Sequence, residues 1–334
     1  MQAVIHQAYG EPDAVLSVQE VETPTPKDNE VVVRVRAASM HPDVWHVIVG
    51  YPFVLRLMGN GLRKPTRRIP GTDLAGIVES VGKDVRRFKG GDEVFGESAS
   101  FGWLNGGAYA EFAAVPEHYL ALKPKNVTFE QAAAVPTAGT IALQNLGGAK
   151  RPVRQNVLIN GAGGCMGPIA VQIAKADGAH VTAVDCAEKL PMLRSLGADA
   201  VIDYRREDYL KNGQRYDFIM DVVALRSPRE YRHALSPTGR YIPIGHAHYD
   251  SSRHPILGDM PYFMWLVLRT LLDPKKRKDG QLIKKPEAMA IFRELLESGK
   301  LTPVVARTFS LREVPDALRW TREGHTPGRA IITP

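Results

Sequence analysis

The chain has 334 residues, 44% hydrophobic and 24% charged, which allows two domains with substantial cores and excludes a disordered or fibrous protein. Its net charge of +7 arises partly from two clusters, Arg63, Lys64, Arg67 and Arg68 in one and Lys275, Lys276, Arg277 and Lys278 in the other. Such runs read as solvated loops, and without an aromatic-interleaved basic stripe no nucleic-acid partner is expected.

From the N-terminus, Met1 leads directly into Ala3, Val4 and Ile5 with no basic and apolar leader, so a cytoplasmic protein is expected. Short alternating runs follow at Val31 to Ala37, Leu74 to Val81 and Tyr109 to Val115, punctuated by Gly82, Gly90-Gly91-Asp92 and Gly106-Gly107. This texture predicts a β-barrel-like domain of short antiparallel strands. A helix is predicted over Thr128 to Gln144, capped by Thr128 and kinked or divided by Pro136. Val157 to Ile159 then reads as a buried parallel strand, and Ile169, Ala170, Ile173 and Ala174 recur at helical spacing behind Gly167. Further strands are expected at His180 to Val184, Ala200 to Ile202, Phe218 to Val223 and Tyr241 to Gly245, as a doubly wound α/β sheet requires. The most apolar window, Tyr262 to Leu272, is far short of a membrane span and contains Arg269. Helical spacing returns at Ala288 to Glu297 and Pro315 to Glu323, and Arg329 to Ile332 reads as a final strand.

Between the first strand of the doubly wound unit and its helix lies Ala162-Gly163-Gly164-Cys165-Met166-Gly167, a variant of the dinucleotide fingerprint. Small residues permit a tight turn there, backbone amides approach a pyrophosphate, and the helix directs its positive end at the phosphates. Asp185 ends the second strand, 18 residues beyond Gly167, in the place of a ribose anchor. A carboxylate there accepts from both adenosine ribose hydroxyls and repels a 2′-phosphate, which favours NADH over NADPH. Its alternative is a solvated turn aspartate, and the nearby Lys189 and Arg194 offer cations to a 2′-phosphate. The two cysteines, Cys165 and Cys186, suit neither a disulfide framework nor a metal site and point to a reducing compartment. At a helix N-terminus Cys165 has two readings, a thiol of lowered pKa or a small buried side chain filling a glycine-sized space.

Taken in order, several motifs resemble the medium-chain dehydrogenase/reductase superfamily, and within it the zinc-independent quinone oxidoreductase or zeta-crystallin-like branch. They are Ala38-Ser39-x-His41-Pro42, Pro70-Gly71-Thr72-Asp73-x-Ala75-Gly76, Gly91-Asp92-Glu93-Val94-Phe95-Gly96, Gly107-Ala108-Tyr109-Ala110-Glu111, Ala133-Ala134-Val135-Pro136, Gln172-Ile173-Ala174-Lys175, Leu196-Gly197-Ala198-Asp199 with Val201-Ile202-Asp203-Tyr204, and Gly324 through Ile332. The resemblance implies a GroES-like β-barrel catalytic domain over 1–125 and 285–334. A Rossmann NAD(P)-binding domain would occupy 126–284, with an apolar and basic insertion near 261–280. It implies an NAD(P)H-dependent oxidoreductase that transfers hydride to a quinone or α,β-unsaturated carbonyl compound, with a homodimer as the expected assembly. Tyr204, Gly245 and Thr140 join the residues expected around the cofactor. Trp45 and His46, backed by His41 and Tyr51, are the side chains expected to face the nicotinamide, with His46 a candidate proton donor.

In the superfamily's zinc enzymes a metal-binding histidine follows the glycine that is Gly71 here, and this chain has Thr72. Cysteine is missing from Ser39 to Asp43, as is the four-cysteine zinc lobe, so no metal is expected; His246-x-His248 is a pair without a third ligand. Two segments, 51–69 and 261–278, each pair an apolar stretch with a basic tail. Three readings apply to them, in order: a packed helix with a solvated basic end, a lid over a greasy pocket, and a docking patch for an anionic membrane surface. Two other functions stay open at this point, a zinc-independent alcohol dehydrogenase or carbonyl reductase, and a cofactor-binding protein without turnover.

Overall fold

The computed structural model describes residues 1–99, 104–147, 155–245, 283–324 and 327–334, together with Pro261, Trp265 and Leu268. One sheet runs in the order Val305–Ser310, Arg329–Thr333, Glu30–Ser39, Asp73–Val81, Glu93–Glu97 and Leu120–Leu122, with Phe112–Pro116 also paired to Glu30–Ser39. Its pairings are antiparallel except that of Val305–Ser310 with Arg329–Thr333. Alternation explains the long central strand: Val33 and Val35 point into the core while Arg34 and Arg36 face solvent. The final strand thus returns to the N-terminal sheet, which brings residues 290 positions apart in sequence into hydrogen bonds, as between Arg329 and Ser39.

The strand expected from Tyr109 begins only at Phe112. Tyr109 is held instead by packing: Gly71 adopts φ +85°, and a Cβ there would lie 2.4 Å from the Tyr109 ring. Its hydroxyl donates to the Ser39 carbonyl at 3.1 Å.

The second sheet is wholly parallel, in the order Ala200–Asp203, His180–Asp185, Asn156–Asn160, Tyr216–Asp221 and Leu235–Pro243. Chain order therefore reverses beside Asn156–Asn160, and the carboxyl end of that strand opens on the crevice where such sheets bind ligands. Its last strand starts six residues before the expected Tyr241, because a register shift between Tyr216 and Phe218 lets Leu235 pair with Tyr216 ahead of the main ladder. Pro136 divides the expected helix in two. The first piece, Phe129–Ala133, carries a capping box between Thr128 and Gln131, and the second, Pro136–Asn145, has the proline in its first turn.

Alanines, Phe95 and Ile331 from the first sheet share one apolar cluster with Val157 and Ile159 from the second, with Ile173 of the helix Gly167–Ala176 and with Phe292 of the helix Lys285–Glu297. Segment 51–69 forms no regular α-helix. A single π turn, Arg56–Asn60, is tied down by the Tyr9 hydroxyl, which donates to the carbonyls of Asn60 at 2.9 Å and Gly61 at 2.6 Å. Leu57 and Leu62 are exposed. Segment 261–278, apart from exposed Pro261, Trp265 and Leu268, lies outside the described residues, as does the His246 and His248 pair. Among the described residues no helix is long and apolar enough to cross a membrane.

Candidate active site

The glycine turn leaves the strand Asn156–Asn160 and enters the ten-residue helix Gly167–Ala176. Gly161 turns the chain at φ +78°, and Gly167 sits so close to Ala162 that a Cβ would lie 2.2 Å from the Ala162 carbonyl oxygen. Any side chain there would push the helix away from the strand. Gly164, Cys165 and Met166 line a cavity of about 440 Å³. A backbone turn at a helix N-terminus, opening on a cavity, fits a dinucleotide's diphosphate.

Asp185 is buried and already well satisfied. Its Oδ2 accepts from the Gly163 amide at 2.7 Å, its Oδ1 accepts from the Cys186 amide at 2.9 Å, and the Lys189 ammonium is 3.5 Å from Oδ1. Lys189 is itself buried and donates to the Gly324 carbonyl at 2.7 Å. A free carboxylate was the basis of the lean to NADH; beside a compensating ammonium that charge repels a 2′-phosphate far less, and the lean loses its footing. Tyr204 lies exposed at the end of the neighbouring strand, where it follows Asp203.

On the opposite wall His41 caps the helix Pro42–Val49 by accepting the Asp43 amide on Nδ1 at 3.2 Å. Burial pushes the imidazole below its ordinary value, against the raising effect of the Asp43 carboxylate. Cap and burial together assign a neutral ring with its proton on Nε2. Trp45 faces the cavity, but His46 and Tyr51 do not line it. Successive helical side chains diverge by about 100°, so Trp45 and His46 cannot share a face. The His46 ring bonds through Nδ1 to the Tyr51 carbonyl at 3.0 Å. The same divergence separates Thr140, whose hydroxyl donates to Glu97 Oε1 at 3.0 Å, from Ile141, which lines the cavity.

Beneath His41 lies a buried cluster that the sequence did not single out. Asp73 Oδ2 accepts from Arg329 Nη2 at 2.7 Å and from the Ser39 hydroxyl at 3.0 Å, while Oδ1 accepts from the Thr137 amide at 3.2 Å and from the Thr137 hydroxyl. Both charged side chains are fully enclosed. Ser39, Asp73 and Arg329 each fall in a motif of the resemblance, and the further signal was a lone arginine between Gly328 and the apolar, buried Ala330-Ile331-Ile332. A guanidinium occupies the carboxylate, and Thr72 and Thr137 supply only hydroxyls, so this donor set does not fit a divalent zinc ion. Among the described residues no group of three or more His, Cys, Asp or Glu is placed to hold a metal.

Val222, Ile244, Gly245, Leu318, Trp320 and Thr321 also line the cavity, as do the charged Asp43, Arg322 and Arg329. Burial raises the Cys165 thiol, with Arg329 and Lys189 opposing, which favours the small buried side chain over the thiol of lowered pKa among the two readings. Of the residues expected from sequence, His41, Trp45, Gly164, Cys165, Met166 and Gly245 meet in this cavity. Ala162 and Gly167 support the turn from behind, and Gly163, Asp185, Lys189 and Tyr204 stand at the neighbouring strand end.

Known families match both parts of the chain: the alcohol dehydrogenase GroES-like domain over residues 27–125 and the zinc-binding dehydrogenase family over residues 196–332. A chloroplast envelope quinone oxidoreductase homolog of Arabidopsis thaliana is 33% identical, covering 100% of this chain and 98% of its own. An NADPH-dependent alkenal/one oxidoreductase of the same plant is 30% identical, over 100% of this chain and 80% of its own. Among solved structures, the quinone oxidoreductase from Coxiella burnetii superposes with a TM-score of 0.81 at 27% identity, covering 100% of this chain and 99% of that one. With a GroES-like sheet, a parallel nucleotide-binding sheet and relatives matched from end to end, this chain belongs to the medium-chain dehydrogenase/reductase superfamily, in its quinone oxidoreductase branch.

Proposed function

We propose that the protein is a metal-free NAD(P)H-dependent reductase of quinones or α,β-unsaturated carbonyl compounds. The observation that carries this reading is one apolar cavity walled jointly by the phosphate turn and by the His41–Trp45 segment. NAD(P)H supplies a hydride when bound. Trp45, Ile141, Met166, Val222, Leu318 and Trp320 give the cavity flat, apolar walls that hold a conjugated acceptor and exclude water. A conjugated acceptor suits a site without a Lewis acid, because charge arriving at carbon is delocalised onto the carbonyl oxygen and hydrogen-bond donors suffice to stabilise it. Neutral His41 offers such a donor in its Nε2–H, and the proton that completes reduction comes from water or this imidazole.

The names of the relatives support the acceptor class, and that of the plant alkenal/one reductase supports NADPH as a donor. With Asp185 and Lys189 paired, acceptance of both nucleotides is the expected behaviour. The test is isotopic: with NADPH deuterated at the transferable position and a conjugated enone, deuterium at the β-carbon of the saturated product supports the reading. Deuterium at the carbonyl carbon of an allylic alcohol would replace it with a carbonyl reductase.

A further inference from the structure

His41 and Asp43 both line the cavity, two residues apart at the start of the helix Pro42–Val49. The His41 side chain is 8% exposed and that of Asp43 is 23% exposed, so the carboxylate stands between the enclosed ring and water. Nδ1 of the ring faces two groups of opposite character. The Asp43 amide donates to it at 3.2 Å in the neutral ring, and the Asp43 carboxylate, 3.3 Å away, accepts from it once it is protonated. Among the described residues nothing accepts from Nε2, although buried donors are rarely left unmade. A ring with one nitrogen open to the cavity and the other beside a partly exposed carboxylate can carry a proton from solvent to a bound oxygen. Burial keeps this ring neutral at rest, while Asp43 and Asp73 favour its cation and Arg329 opposes it. The remaining charge on the wall, Arg322, stacks on Trp45 at 4.5 Å.

We propose that His41 and Asp43 form the proton relay of the cavity, in which His41 Nε2–H protonates the acceptor's oxygen and the Asp43 carboxylate guides the replacement proton from water onto Nδ1. The inference rests on the reductase reading. Hydride from NAD(P)H arrives at carbon, and the electron pair displaced from the conjugated system comes to rest on the acceptor's oxygen. There the Nε2–H bond breaks and an O–H bond forms, while Nδ1 leaves the Asp43 amide and takes a proton from water beside the carboxylate. The ring stays neutral and one solvent proton is consumed. Exchange with water then restores the resting tautomer.

The test uses His41→Asn, whose amide oxygen keeps the helix cap but passes no proton, and His41→Gly, which also serves as a cap and leaves a ring-sized space. Thermal melting is the control for folding, and the fluorescence of bound NADPH gives its dissociation constant. In both variants kcat for a conjugated enone should fall by about 100-fold or more, with NADPH affinity held within about threefold. Asp43→Asn should lower kcat by about tenfold, the scale of one lost charge-assisted hydrogen bond. Imidazole added to His41→Gly should restore turnover, whereas N-methylimidazole, which cannot exchange protons at both nitrogens, should not. Folded variants whose kcat stays within about threefold of the wild type overturn the proposal and leave the proton to water. Loss of NADPH affinity in step with kcat, equal rescue by both imidazoles, or rescue by neither also overturns it.

The nitrogen-15 spectrum of the wild type tests the geometry whether or not the variants fold. The resting His41 ring should carry its proton on Nε2, and p-nitrophenolate, added with NADP+ as a mimic of the product oxyanion, should shift that resonance. A resting proton on Nδ1, or an unmoved Nε2 resonance, overturns the relay. The two failures are distinguishable: a wild type that turns over no acceptor removes the reductase reading together with the relay, whereas an active wild type with unmoved variants removes the relay alone.

Discussion

Arg329 and Asp73 form an enclosed ion pair at 2.7 Å, and between them they join the last strand of the chain to the strand that follows the Gly71 turn. Thr137 adds a third element to the same carboxylate, from the helix that leads toward the nucleotide-binding sheet. Removing the charge on one side leaves the other buried and uncompensated. Asp73→Asn is expected to lower stability by about 3–5 kcal/mol, measured by denaturant unfolding. A loss below about 1 kcal/mol would show that water reaches the pair.

His6 is a second buried group, and its protonation works against the fold. Its Nε2 faces the Ile48 carbonyl at 3.1 Å, so it donates, and its Nδ1 faces the Asn105 amide nitrogen at 3.2 Å, so it accepts. Both nitrogens are thus satisfied by the neutral ring alone, and burial lowers the group from 6.5 to about 4. Because the folded value is depressed, the contribution to stability is present above about pH 6.5 and falls away as pH drops toward about 4. The full loss corresponds to about 3 kcal/mol. Unfolding free energy of the wild type and His6→Gln should therefore converge between pH 7 and pH 4. Parallel curves would contradict the assignment.

The Asp185 and Lys189 pair predicts how cofactor choice responds to mutation. Asp185→Ser removes the anion and should shift the ratio of kcat/KM values toward NADPH by about tenfold, whereas Lys189→Met should shift it toward NADH by a similar factor. Identical ratios in both variants would place the adenosine ribose away from this corner.

Lys285 and Glu97 form an ion pair between the helix Lys285–Glu297 and the first sheet, with a further lysine hydrogen bond to the Ala99 carbonyl at 2.7 Å. Lys285→Met should destabilise by about 3 kcal/mol, because the buried Glu97 carboxylate then keeps the Thr140 hydroxyl but no compensating charge, and Glu97→Gln in the same chain should restore most of the loss. Additive losses in the double variant would show that the two residues act separately.

Much of this architecture was legible in the chain because it is written in local patterns. The glycine turn, the apolar runs on either side and the Thr128 cap depend on residues a few positions apart, and they lie where the sequence reading put them. What could not be read locally depends on facing. His46 and Thr140 were expected at the cofactor, and each has a neighbour, Trp45 and Ile141, that takes the cavity instead. Arg329, Asp73 and Ser39 meet across 256 and 290 residues, and no spacing in the sequence announces a contact of that range. The lean to NADH finds no support for a related reason: the sequence named both Asp185 and Lys189, but only the fold shows the ammonium packed 3.5 Å from the carboxylate.

The central claim is reduction of a conjugated acceptor by NAD(P)H without a metal. Its most direct test is oxidation of NADPH and NADH by the purified, chelator-treated protein with 1,4-benzoquinone, a naphthoquinone and a conjugated enone. Undiminished turnover after chelation, with both nucleotides used, is the predicted result. Activity that disappears on chelation and returns with zinc would contradict it, as would bound nicotinamide that none of the acceptors oxidises.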